Sequence, residues 1–250
     1  MVVSQMDYKW NWGFLLEQVA TGENTTYLGW LGIGLINTVL LTAFAWILAL
    51  ILGSVFGVMR TLPNKALAFI GTAYVSVFRN VPLIVQFFIW YFVVPEMLPV
   101  SMGDWIKNLD PSMQFFVVSV LSLGVYTGSR ICEQIRAGIQ GLPRGQRSAG
   151  LALGFTLSQT YRYILLPVTY RTIIPPLTSE FLIISKNSAV ASTIGLLELS
   201  GQARQLVDYT SQPYESFICV TLAYMLLNFV IIRLMGFIRN RSHIPGLLGD

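Results

Sequence analysis

The chain has 250 residues, 54% of them hydrophobic and 11% charged, with a net charge of +4 and a mean hydropathy of +0.62. Soluble domains carry about 25% charged residues, so an ordinary soluble domain is excluded and a membrane protein is indicated. The length suffices for one bundle of spans, not for a bundle plus a second globular domain.

The first 29 residues hold Asp7, Glu17 and Glu23 and no basic run, so a cleaved signal peptide is not expected. Five spans then follow in order. Trp30 to Met59 carries no charge over 30 residues, enough to cross a hydrocarbon core of ~30 Å at about 1.5 Å per residue. Within it Gly53 and Gly57 form a Gly-x-x-x-Gly pattern that lets another helix approach closely. Ala66 to Pro95 is apolar but broken by Arg79-Asn80-Val81-Pro82, and Ser112 to Ser129 is an uncharged run. Thr172 to Leu197 is interrupted by Glu180 and Lys186 and carries Pro175 and Pro176. Ser216 to Ile238 contains only Arg233, near enough to its end to snorkel. Residues 97–111 and 200–213 are rich in Pro, Gly, Asp and Gln, and read as loops or interfacial helices. Trp30, Trp90, Tyr91 and Trp105 fall near span boundaries, where an aromatic belt is expected.

The basic residues set the orientation. With residues 1–29 outside, the inner side holds Arg60, Lys65, Arg130, Arg136, Arg144, Arg147, Arg162, Arg171, Arg233, Arg239 and Arg241, and the outer side only Lys9, Lys107 and Arg204. The long stretch from Arg130 to Arg171 then faces the cytoplasm, as does the tail at residues 240–250. This sorting by membrane side speaks against nucleic acid as the partner of the positive excess.

Arg79, Glu180 and Lys186 are left at membrane depth. Each costs ~2.5–3.5 kcal/mol on an insertion scale, so each is expected to face protein or water. With Asn187, which shares a helical face with Glu180, they are candidates for a polar substrate path. The alternative is that Arg79 and Glu180 pair and brace the bundle. Pro82, Pro175 and Pro176 are expected to break helices beside these charges, as at the binding sites of transporters. Cys132 and Cys219 lie at or within apolar runs and read as inert thiols rather than a disulfide or metal pair. One histidine, His243, offers no metal cluster or Ser-His-Asp arrangement, and no phosphate-binding Gly-x-x-x-x-Gly-Lys-Ser/Thr loop exists in the sequence. An intramembrane enzyme is therefore poorly supported.

The stretch from Arg136 through Gly154 to Pro167 is basic and semi-polar in an otherwise apolar chain. Ala149, Leu151, Ala152 and Phe155 are spaced for one face of a short helix, with Gly154 near its end. Such a helix between two spans is a docking element for a cytoplasmic partner.

Gly145-Gln146, Ser148-Ala149-Gly150, Ala152-Leu153-Gly154 and Leu166-Pro167 resemble the "EAA" loop of permease subunits of ABC importers. Phe78-Arg-Asn-Val-Pro-Leu-Ile-Val-Gln86 and Ser185-Lys-Asn-Ser-Ala-Val-Ala-Ser-Thr-Ile-Gly195 are similar to signatures of the polar amino acid group. Trp10-Asn-Trp-Gly, Asn24-Thr-Thr-Tyr-Leu-Gly-Trp30 and Asp208-Tyr209 resemble glutamate/aspartate import permeases within it. One departure stands out: the family usually has Glu where this chain has Ser148, and Ala where it has Gly150. The resemblance implies an all-α polytopic fold of about five transmembrane helices, with a cytoplasmic coupling helix in the loop at 136–167 and the transmembrane region at 30–239. It implies an inner-membrane permease that translocates a polar amino acid, with Ser148, Ala149, Gly150, Leu151, Gly154 and Phe155 docking on an ABC ATPase dimer. The implied partners are that ATPase, a second permease subunit, an amino acid binding protein and the bilayer. No cofactor is expected on this chain, ATP being used by the ATPase. An ion-coupled secondary transporter is the rival reading; the absence of an inverted repeat argues against it.

Overall fold

The computed structural model describes residues 8–242. Among these, the chain is helical apart from one isolated bridge between Gln18 and Thr26. After a 3-10 turn at Trp12–Leu16 come α1 (Tyr27–Met59) and α2 (Lys65–Asn80). Next are α3 (Leu83–Phe88), a π-helical segment at Ile89–Val93, α4 (Val94–Met97) and α5 (Val100–Lys107). Then follow α6 (Pro111–Gln140), α7 (Arg144–Ala152), α8 (Leu157–Thr160), a π-helical segment at Tyr161–Leu165 and α9 (Leu166–Asn187). A 3-10 turn at Ser188–Ile194, α10 (Leu199–Thr210) and α11 (Pro213–Ser242) complete the described chain.

Side-chain caps fix several starts. Thr26 accepts from the Gly29 N–H, and Asn64 from Ala66 and Leu67. Asp110 caps α6, where the Ser112 hydroxyl and the N–H groups of Ser112 and Met113 hold its carboxyl below the usual range. By length and apolarity α1, α6 and α11 each suffice to span a bilayer. Two bent pairs supply the other crossings: α2 with residues 83–97, at 104°, and residues 157–194 with α10, at 48°. The five-span expectation holds, with the second span broken rather than straight. Pro82 stands at that break, where its ring prevents Val81 from staying helical.

α1 and α6 form the central seam. Leu41, Ala45 and Ala49 of α1 share one buried cluster with Leu123, Ile131 and Ile135 of α6 and Ile173 and Ile184 of α9. The Gly-x-x-x-Gly of α1 sits where a side chain has no room. A Cβ on Gly53 would lie 2.6 Å from Ile131 Cγ2, and one on Gly57 3.0 Å from the Cys132 carbonyl. Lipid tails are as apolar as the helices, so close backbone approach rather than solvent exclusion holds such a seam.

Three expectations need correction. First, α6 runs on to Gln140, so Arg130 and Arg136 stand in its last turns rather than in a loop. They do not end the helix because Glu180, Glu133 and Gln140 satisfy them. Second, Pro175 and Pro176 lie inside an unbroken α9; packing of Ile173, Ile174 and Leu177 on either side outweighs the lost N–H donors. Third, Trp30 is not part of a lipid-facing belt. It is buried, and its indole N–H donates to Glu23 Oε2 at 3.1 Å. Of the two readings given for residues 97–111 and 200–213, loops or interfacial helices, helices are what form, as α5 and α10. The cysteines are free, Cys132 buried and Cys219 half-buried. His243 lies outside the described residues.

Candidate functional site

Two regions carry function-bearing geometry. The first is the corner made by α7 and α8. α7 ends in a Schellman motif: the Phe155 N–H donates to the Gly150 carbonyl at 3.2 Å and the Gly154 N–H to Leu151 at 3.0 Å. Gly154 has φ of +85°, the left-handed conformation this motif requires. Directly after it, Thr156 and Gln159 form a reciprocal capping box that starts α8. Helix stop and helix start thus follow one another with every turn hydrogen-bonded, so the angle between α7 and the helix leading into α9 is fixed.

α7 rests on its base through Gly150. A Cβ there would lie 2.8 Å from Ile164 Cδ1 and 2.9 Å from Thr160 Cγ2. Tyr161 ties the base to the α1–α2 turn by donating to the Thr61 carbonyl at 2.9 Å. The predicted face is present and uncovered: Ala149, Leu151, Ala152 and Phe155 are all exposed, and Leu153 is 77% exposed. Ser148 is exposed as well and lines a cavity of about 580 Å³ under α7, with Thr61, Arg147 and Tyr161. A helix with an apolar face turned outward and a rigid joint behind it can receive a push and pass it to α9.

The second region is a cavity of about 320 Å³ lined by Arg79, Arg130, Glu133, Gln134, Ala137 and Glu180. Glu180 is buried on α9 and takes a two-pronged contact from Arg130, Nε to Oε2 at 2.7 Å and Nη2 to Oε1 at 3.0 Å. Gln134 Nε2 donates to the same carboxylate at 3.1 Å. Glu133 is held in turn by Arg60 at 2.5 Å and Arg136 at 2.9 Å. The expected brace therefore exists, but Arg130 forms it and not Arg79. Arg79 is exposed in the last turn of α2 and lines the cavity with its guanidinium outside these ion pairs. Lys186 is exposed, Asn187 is half-buried at the end of α9, and neither lines this cavity. Four arginines (60, 79, 130 and 136) against two glutamates (133 and 180) leave the cluster two charges positive.

Arg130, Glu133 and Gln134 were not among the expected site residues. Their spacing of three and four on one helix face was the available signal, hidden because Arg130 reads as a loop boundary. The Thr156-x-x-Gln159 box was likewise legible as a helix start.

The described residues thus form a multi-span helical bundle with an exposed, partly apolar helix, α7, at one end. Residues 47–243 match the family described as binding-protein-dependent transport system inner membrane component, and the chain belongs to that family. It is a permease subunit of an ABC importer with the type I fold. It is 53% identical over 245 residues to the glutamate/aspartate import permease protein GltJ of Escherichia coli strain K12, covering 98% of this chain and 99% of that one. It is 34% identical over 194 residues to the probable glutamine ABC transporter permease protein GlnM of Bacillus subtilis strain 168, covering 78% and 84%. Among solved structures, a crystal structure of an amino acid ABC transporter with histidines superposes with a TM-score of 0.71 at 27% identity, covering 86% of this chain and 95% of that one.

Proposed function

We propose that this permease imports acidic amino acids, glutamate and aspartate, across the cytoplasmic membrane. The 53% identity to GltJ over almost the whole chain carries the substrate class. The charge excess around the Arg79–Glu180 cavity supports it, since a substrate of net charge −1 is attracted there. In this reading Arg79, with no carboxylate of its own, meets a substrate carboxylate, and Lys186 and Asn187 line the path on the face turned to a second permease. A second permease subunit, identical or similar, completes the pore, and the 27% identity of this chain to the glutamate/aspartate import permease protein GltK of E. coli O6:H1 (strain CFT073) supports a similar one. An ATPase dimer binds α7 of each permease and performs all ATP chemistry, and a binding protein outside the cytoplasm delivers the substrate. The end of the bundle bearing α7 faces the cytoplasm in this reading, which the basic residues gathered at that end support. ATP-driven closure of the ATPases moves the α7 corner and rocks the bundle between its two openings.

The test is uptake of labelled glutamate into proteoliposomes holding the permease with its co-purified partners. The expected result is uptake that needs internal ATP and the binding protein and is competed by aspartate, and that Arg79→Gln weakens in an intact complex. Uptake driven by a proton or Na⁺ gradient without ATP would overturn the reading in favour of a secondary transporter.

A further inference from the structure

A groove of about 600 Å³ opens between α1 and α11, with α9 as its floor. Ile51 and Val55 of α1, Ile174 and Leu177 of α9, and Met235 and Ile238 of α11 make its apolar walls. Trp46 closes the deep end, stacked on Phe181 with ring centroids 4.5 Å apart. Polar groups gather only at the other end. There Tyr170 donates to Ser54 at 2.5 Å, and Arg171 and Ser242 stand at the rim. That end holds the start of α9 and the finish of α1 and α11, so it is the same end of the bundle as α7.

Charge at this rim has one sign. Among the described residues that line the groove, Arg171 is the charged one. Arg239 and Arg241 are exposed in the last turn of α11, just before Ser242, with the Arg241 guanidinium over the Phe237 ring. A dry slot inside the bilayer with a cationic mouth at the interface complements an amphiphile that has an acyl chain and an anionic head.

We propose that this groove is a binding site for an anionic membrane phospholipid. One acyl chain lies against Ile51, Ile174 and Ile238, and the phosphate sits against Arg171 in the field of Arg239 and Arg241. The lipid fills the gap between α1 and α11, so it acts as part of the bundle wall next to α9, the helix that the α7 corner drives. Placing the site in the cytoplasmic leaflet rests on the orientation proposed above; binding itself does not.

The test uses the complete transporter complex in nanodiscs of equal parts phosphatidylethanolamine and phosphatidylglycerol. Both leaflets then present both lipids, so an inverted orientation leaves binding intact. After release into mild detergent, native mass spectrometry counts the lipids retained. One phosphatidylglycerol per copy of this chain is expected in preference to phosphatidylethanolamine. Arg171→Gln lowers that retention roughly fivefold, the contribution of one basic side chain near an anionic surface. Ile51→Trp fills the slot and lowers retention of both lipids. Equal retention of the two lipids by the wild type, or undiminished phosphatidylglycerol in Arg171→Gln, would overturn the proposal. So would efficient cross-linking of Val55→Cys to the second permease, which would make the groove a protein interface.

Discussion

The α6 seam and the α7 corner are both built around glycine and polar side chains, and they use them in opposite ways. In the seam, glycine lets backbones touch: a Cβ on Gly128 would lie 2.6 Å from the Tyr74 hydroxyl and 3.2 Å from Leu52 Cβ. Its charged groups pair across α6 and α9, as Arg130 and Gln134 bind Glu180. At α7, Gly154 has open space around it and is needed for its backbone conformation, while Leu153 faces outward and Phe155 keeps an exposed edge beside Tyr163. The seam is complete within one chain. The corner leaves an apolar face open, which is where the proposed ATPase contact falls. Small residues in a membrane protein therefore need to be read by what stands across from them, not by composition.

Substitutions separate the two regions, the seam losing assembly and the corner losing coupling. Arg130→Met has the largest expected effect. It leaves the buried Glu180 carboxylate without its cation, at roughly 3–5 kcal/mol, and little intact complex should be recovered from the membrane. Adding Glu180→Leu to it should restore much of the yield; no recovery in the double variant would show that Arg130 does more than brace. Gly128→Val comes next, at about 1–3 kcal/mol of overpacking, read as a lower thermal midpoint of the purified complex. Gly154→Glu strains the α7 terminus by roughly 1–2 kcal/mol. Its complex should assemble while ATP-dependent uptake falls far more than that figure implies. Full uptake in this variant would remove the corner from the coupling route. Ser148→Ala is smallest, within about 0.5 kcal/mol, with uptake near wild type. Abolished uptake there would assign Ser148 a role that its exposed position at the cavity rim does not explain.

Much of this contrast was legible beforehand. Long apolar runs located α1, α6 and α11, and the Gly53–Gly57 pattern located the seam, because apolar length and close approach depend on local sequence alone. The exposed face of α7 and the stop at Gly154 were legible for the same reason. Pairing between helices was not. Glu180 has two arginines within its cavity, Arg79 and Arg130, and only the bend at Pro82 and the extension of α6 to Gln140 decide which one reaches it. Arg79 is carried aside by a 104° turn whose angle no periodicity encodes. Trp30 misled in the same way: a tryptophan at a span boundary faces lipid unless an acceptor such as Glu23 is folded against it, and that contact depends on the N-terminal segment packing on α1, α10 and α11. Pro175 and Pro176 misled because a helix packed on two sides keeps its axis despite missing donors.

The central claim is that the apolar face of α7 is a docking surface for the ATPase. A photo-activated cross-linking side chain at Leu153 tests it directly, since that residue is 77% exposed and touches none of the seam. In membranes containing the whole transporter, the adduct is predicted to contain the ATPase subunit. Adducts to lipid alone, in a transporter that still imports its substrate with ATP, would contradict the account.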